Sequence, residues 1–156
     1  RTFSGSLASQ RAMSDLNRVV REVSSGLDGP SAARVRLELG EIPLLCIDAD
    51  EIASVVRNLL LNAAEAISAE GGVTVRTVQK NGKVEMVVED DGNGISREFL
   101  EKDLFVPFRT TKSSGLGIGL FQSRKILEAH GGSIEVESEE GKGTTVRAAL
   151  PVPRSE

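Results

Sequence analysis

Residues 73–90 read VTVRTVQKNGKVEMVVED, and no other stretch says as much about the fold. Two eight-residue runs, 73–80 and 83–90, are rich in valine and alternate apolar with polar positions. Between them stands Asn81-Gly82. A two-residue type I′ turn needs positive φ at both central positions, and Asn-Gly tolerates that best. The stretch therefore predicts an antiparallel hairpin with one buried face.

Working outward, 34–39 alternates Val35, Leu37 and Leu39 against Arg34, Arg36 and Glu38, and 44–47 is a second short apolar run. Near the end, 133–138 and 144–150 form a closing strand pair joined by 139–143, with Thr144, Val146, Ala148 and Leu150 on one face. Helical patterns fall between the strands. The most regular runs from Asp48, where Asp48 and Glu51 resemble a capping box and Asp50 suits the positive helix end. Its apolar stripe is Ile52, Val55, Val56, Leu59, Leu60, Ala63 and Ile67, and Gly71-Gly72 marks its stop. A second helix is predicted from Met13 through Val23, a third, short one over 96–103, and a fourth from the glycine-rich 115–119 to Gly131-Gly132. Hairpins with intervening helices imply an α+β two-layer sandwich: a mixed sheet, helices on one face. It is not a doubly wound fold. We expect 1–30 to be a linker, or the end of a preceding helical domain, and 31–156 to be the main domain. A chain opening at Arg1 is what a piece of a longer protein would show.

Composition narrows the function. With 19 basic and 23 acidic residues the net charge is −4, too mild for electrostatic capture by nucleic acid or an anionic membrane. Aromatics are 3%, with no Trp or Tyr, so base-stacking platforms are not expected. No run approaches the eighteen apolar residues of a spanning helix. One cysteine and one histidine exclude a disulfide framework and a Cys/His-rich zinc site. Cys46, inside Leu44-Leu45-Cys46-Ile47, is expected to be a buried small hydrophobe.

Four segments carry candidate chemistry. In Asn58-Leu59-Leu60-Leu61-Asn62, two carboxamides stand one helical turn apart, off the apolar stripe. A carboxamide oxygen suits Mg²⁺, a hard ion that takes oxygen donors, although solvated helix polars are the plainer reading. In Asp90-Asp91-Gly92-Asn93-Gly94 a strand ends in a carboxylate able to accept an adenine amino hydrogen, with glycines that let a ring approach the backbone. The plain alternative is an acidic turn. In Phe105-Val106-Pro107-Phe108-Arg109-Thr110-Thr111-Lys112 the phenylalanines anchor a loop, leaving Thr110, Thr111 and Lys112 to meet phosphate oxygens. In Gly115-Leu116-Gly117-Ile118-Gly119-Leu120 glycines open a helix, whose N-terminal N–H groups bind anions. A Rossmann fingerprint would need a glycine at 122, where Gln stands, and a Walker A loop would need Lys after the last glycine.

In this order and spacing the four segments resemble the N, G1, F and G2 boxes of the Bergerat-type ATP-binding fold, shared by sensor histidine kinases, gyrase, Hsp90 chaperones and MutL. Gly141-Lys142-Gly143-Thr144 is similar to a further glycine box of histidine kinases. So are FVPFRTTK, His130-Gly131-Gly132 and the closing Leu150-Pro151, and the resemblance covers about 34–153. The short interval from Phe108 to Gly115 resembles nitrogen-regulator-type kinases and those of PEP-CTERM systems.

The resemblance implies cofactors ATP and Mg²⁺. It makes Asn62 the metal ligand and Asn58 its support. Asp90 becomes the reader of adenine, with Gly92 and Gly94 shaping the pocket. Thr110, Thr111 and Lys112 become lid residues near the terminal phosphate. Gly115, Gly117, Gly119 and Leu120 form the lid and its phosphate-binding helix start, and Thr144 helps hold Asp90. It further implies γ-phosphoryl transfer to a histidine on a separate dimerisation domain, and from there to a response regulator. The parent would be a homodimer with this domain in the cytoplasm, with or without a membrane anchor.

The H-box helix of such a dimerisation domain is missing from these 156 residues, so the chain alone is not expected to phosphorylate itself. His130 ends a helix, where a cation-capable imidazole suits the dipole. That is a structural place rather than a phosphoacceptor's. The alternatives are a gyrase- or Hsp90-like ATPase and a nucleotide-gated interaction module. An ATPase of that branch resembles this chain except that it carries a glutamate base where Asn58 stands, and Asn cannot take a proton.

Overall fold

The structure, a computed structural model, describes residues 10–27, 34–67, 71–94 and 116–153. In chain order the elements are β1 (Ala12–Ser14), α1 (Leu16–Ser25), β2 (Val35–Leu39), β3 (Leu45–Ile47) and α2 (Ala49–Ala66). There follow β4 (Val73–Lys80), β5 (Lys83–Asp90), α3 (Leu116–Ala129), β6 (Ser133–Glu139) and β7 (Gly143–Pro151). The main sheet has the order β2-β4-β5-β7-β6. Only β2 pairs in parallel, with β4, and the other three pairings are antiparallel. The sheet is mixed and the helices cover one face, as the sequence predicts.

The hairpin forms as read. Asn81 has φ 53° and Gly82 φ 77°, the two positive values of a type I′ turn. Alternation then sends Val84, Met86 and Val88 of β5 and Val73 and Val75 of β4 to the helical layer. Their polar neighbours face solvent, where Arg76 is hydrogen-bonded to Glu89 and Glu38 and Arg147 to Glu137. The bond and charge of Glu89 raise the Arg76 pKa, and the bond to Glu137 raises that of Arg147, so both stay cationic.

Of the predicted α2 stripe, Ile52 to Ala63 is fully buried against this sheet, whereas the helix ends at Ala66, before Gly71-Gly72, leaving Ile67 as its half-buried C-cap. Asp48 caps α2, its Oδ1 accepting the N–H groups of Asp50 and Glu51 at 3.1 Å. A short second sheet, β1 antiparallel to β3, lies beside the layer. The first helix begins later than its periodicity predicts. Asp15 caps Asn17 and starts α1 at Leu16, while Met13 is extended in β1 opposite Cys46 and 55% exposed. Although α1 falls in the segment read as linker, it buries Leu16, Val19 and Val20 in the common core. Asn17 ties it to Gly40 and Thr77.

The expectation for Cys46 was wrong: the thiol is exposed. In a three-residue strand with period 2, Leu45 and Ile47 take the inward positions and Cys46 must point out. The helix expected over 96–103 and the lid residues Thr110, Thr111, Lys112 and Gly115 lie outside the described residues.

Candidate functional site

Two helices and one strand end make the site. Asn58 and Asn62 lie half-buried on α2, on the side that receives the start of α3. A Cβ on Gly119 would stand 3.6 Å from Asn58 Cγ and 3.7 Å from Asn62 Nδ2, so both carboxamides line the approach to the first turns of α3. That distance is ordinary contact. Gly119 faces these asparagines rather than open space. Gly117 falls in the first turn of α3, and the Leu120 side chain is buried in the core, which leaves only its backbone for a ligand.

Asn62 Nδ2 is buried without a hydrogen-bond partner, and so is the Ser123 hydroxyl on α3. An unpaired buried polar group is destabilising by about 1–3 kcal/mol. Of the two, only the Asn62 amide stands beside Gly119, where a ligand at the start of α3 could take its hydrogen bond; Ser123 is enclosed along α3.

At the strand end, Asp90 shares the inward face with Val84, Met86 and Val88, and β-pairing sets it opposite Thr144. Its Oδ1 accepts the Gly92 N–H at 2.9 Å, which holds the chain as it leaves β5. The Thr144 hydroxyl meets Ser138 at 2.7 Å, so its link to Asp90 is the strand register. A cleft of about 380 Å³ at these strand ends is lined by Glu89, Glu137 and Thr145, on the open face with Arg76 and Arg147, as well as by Asp90, Lys142 and Thr144, so it is distinct from the space beside Asn58 and Asn62.

The glycines after Asp90 have a different immediate reason from the one the sequence offered. A Cβ on Gly92 would lie 2.3 Å from Ala66 O, and one on Gly94 2.1 Å from Glu139 O. What approaches them is this chain's own backbone, from the end of α2 and from the β6–β7 turn. Asn93 fastens the same junction, its N–H donating to Ala66 O and its carbonyl accepting from Gly141 N–H at 2.7 Å. Gly143 fits likewise: a Cβ there would lie 2.1 Å from Asp90 O, and its φ is 135°. The strand-end segment, the α2 terminus and the later glycine box are thus one wedge. The bridging role of Asn93 was not read from sequence; its place between two glycines was the available signal.

His130 is placed as expected at the end of α3 but acts otherwise. Its Nε2 receives the Asp48 backbone N–H at 3.1 Å, and its Nδ1 lies 2.9 Å from Ile126 O. A backbone N–H only donates and a carbonyl only accepts, so the ring is neutral with its proton on Nδ1. It is not a cation complementing the helix dipole. Gly131, at φ 81°, and Gly132 close a Schellman cap through Glu128 O and Leu127 O.

Among the described residues no group of three or more His, Cys, Asp or Glu could hold a metal. The donors available are carboxamides. That set fits Mg²⁺ bound through one or two protein oxygens with phosphate and water completing the shell.

A two-layer α+β sandwich with paired asparagines facing a glycine-opened helix, beside a strand-end carboxylate, defines a nucleotide-binding domain. The chain belongs to the histidine kinase-, DNA gyrase B- and HSP90-like ATPase family, which matches residues 47–154. Sensor histidine kinase ZraS of Klebsiella oxytoca is 38% identical over 143 residues, 88% of this chain and 31% of that protein. ZraS of Escherichia coli is 40% identical over 111 residues, 71% of this chain and 24% of that protein. The chain thus spans about a third or less of these relatives. Among solved structures, the catalytic domain of histidine kinase ThkA superposes with TM-score 0.79 at 31% identity, covering 91% of this chain and 95% of that one.

Proposed function

We propose that the chain is the ATP-binding catalytic domain of a two-component sensor histidine kinase. It holds Mg-ATP and presents the γ-phosphoryl group to a histidine on a separate dimerisation domain of the same protein. The observation that carries this reading is the convergence of Asn58, Asn62 and Gly119, with a buried Asn62 amide nitrogen left unpaired where phosphates would lie.

Asp90 would accept the adenine amino hydrogen, its carboxylate oriented by the Gly92 N–H. Asn62 Oδ1 would ligate Mg²⁺ with Asn58 beside it. The ion, when bound, neutralises phosphate charge and steadies the leaving oxygen. Backbone N–H groups in the first turns of α3, among them those of Gly117, Gly119 and Leu120, would take phosphate oxygens, with Gly115 before the helix as part of the lid. Thr110, Thr111 and Lys112 would close over the terminal phosphate, and Thr144 would keep Asp90 in register. No carboxylate stands at position 58, so water is not activated there. An imidazole acceptor brings its own nucleophilic nitrogen and needs no such base.

His130 is not that acceptor, being 7% exposed with both ring nitrogens hydrogen-bonded. The acceptor then belongs to a preceding helical domain, reached through the segment 1–30, of which β1 and α1 pack onto the catalytic domain itself. In the full protein that domain would form the homodimer and pass the phosphoryl group to a response regulator in the cytoplasm.

The test is transfer in trans. Incubated with γ-labelled ATP, the chain alone should take up no label. With its parent's dimerisation domain added, acid-labile and base-stable label should appear on that domain. Label accumulating on this chain, or rapid phosphate release with none transferred, would refute the reading.

A further inference from the structure

α2 and α3 run antiparallel and meet at two places. The start of α3 meets α2 at Asn58 and Asn62, and the end of α3 meets the start of α2 at His130 and Asp48. We infer that His130 is a positioning residue for the nucleotide site. By accepting the Asp48 N–H it fixes the register of α3 on α2, and so sets where the phosphate-facing end of α3 stands against the two asparagines. The inference rests on the functional reading above.

From Gly119 to His130 is eleven residues, about 16 Å of helix. Along that length α3 is buried through Leu120, Ser123 and Leu127, and the Ser123 hydroxyl, 0% exposed, makes no hydrogen bond. Apolar contact resists separation but is non-directional, so it sets sliding and rotation weakly. A hydrogen bond is directional and does set them. With the helix as a rigid rod, a tilt of about 4° at the joint moves the far end by about 1 Å. Misplacement of that size is enough to impair phosphoryl transfer about a hundredfold.

The joint is also built for precision. Asp48 is 2% exposed, and it uses every group it has there. Oδ1 caps α2, Oδ2 accepts the Gln10 N–H at 2.9 Å, and its own N–H goes to His130. Arg11 donates to Ala129 O one residue before His130. The chain entering β1, the start of α2 and the end of α3 are thus tied at one point. The ring's other nitrogen holds Ile126 O, so the imidazole cannot turn away without breaking a second bond.

A merely structural histidine would, when replaced, weaken every ligand alike or none. A positioning histidine weakens ligands that carry phosphates and spares the base. Affinities of the chain for Mg-ATP and for adenosine are therefore measured in three variants. His130→Leu removes both bonds. His130→Asn keeps reach to Ile126 O but is too short for Asp48, and serves if the leucine variant does not fold. His130→Gln can still offer an oxygen to the Asp48 N–H. We expect Mg-ATP to bind about tenfold more weakly to the Leu and Asn variants. Adenosine should change by less than about twofold, and Gln should restore Mg-ATP binding to within about threefold of the parent. Parallel losses for both ligands, no loss for either, or a Gln variant as weak as Asn would overturn the inference. A parent chain that binds no Mg-ATP would instead overturn the functional reading, and this inference with it.

Discussion

Gly94→Ala separates two consequences of losing a glycine, because the fold supplies its own control. Gly94 and Gly141 both have positive φ, 75° and 82°. A Cβ at Gly141 meets nothing within 4 Å, whereas one at Gly94 would lie 2.1 Å from Glu139 O. For alanine the left-handed conformation is unfavourable by about 1–2 kcal/mol, and the stiffer unfolded chain returns about 0.4–1 kcal/mol. Gly141→Ala should therefore destabilise by about 0–1.6 kcal/mol. At Gly94 the carbonyl must also retreat by about 1 Å or more, since real Cβ contacts lie near 3.4 Å. A shift of that size breaks the 2.7 Å bond from Gly141 N–H to Asn93 O, worth about 0.5–1.5 kcal/mol, and strain adds about 1–3 kcal/mol. Gly94→Ala should lose about 2–5 kcal/mol by urea unfolding, and bind ATP more weakly because Asp90 shares the displaced wedge. Equal destabilisation of the two variants would refute the close-approach argument. A Gly94 variant less stable but unchanged toward ATP would separate the wedge from the site.

Other outcomes follow from single side chains. Asp90→Asn should weaken ATP by about 1–3 kcal/mol while leaving already poor GTP binding nearly unchanged, and competition binding with the two nucleotides checks this. Asn62→Ala should reduce Mg-ATP affinity far more than adenosine affinity, read by calorimetry with and without the metal. Because Cys46 is exposed on a strand whose neighbours are buried, it should be labelled stoichiometrically by a maleimide in the folded chain without denaturant, and protection until unfolding would contradict its outward position.

The sheet was legible because its signals are local. Asn81-Gly82 fixes a turn, and alternation in 73–90 and 144–150 fixes which face is buried. The α2 stripe and the Asp48 cap were equally plain. Where reading failed, a tertiary partner decided. Met13 fits helical spacing but pairs with Cys46 across chain segments more than thirty residues apart, and Cys46 then takes the outward position. For the site, sequence spacing brought out the asparagines, Asp90 and the glycines as residue types. It did not reveal that Gly92, Gly94 and Gly143 accommodate neighbouring backbone, since Ala66, Glu139 and Asp90 come to them only through the sheet order. The structural place of His130 at a helix end was legible, but its partner was not, for the same reason. A helix end suggests a cation, and only the fold brings the Asp48 N–H to its Nε2.

The most direct test of the central claim is amide and carboxamide shift mapping of the chain on titration with Mg-ATP. The largest changes should fall on the side-chain amides of Asn58 and Asn62, on Asp90 to Gly94, and on the start of α3 around Gly119. Adenosine alone should move the Asp90 group and leave Asn62 nearly still. Changes confined to the open sheet face around Arg76 and Arg147, or identical patterns for the two ligands, would contradict it.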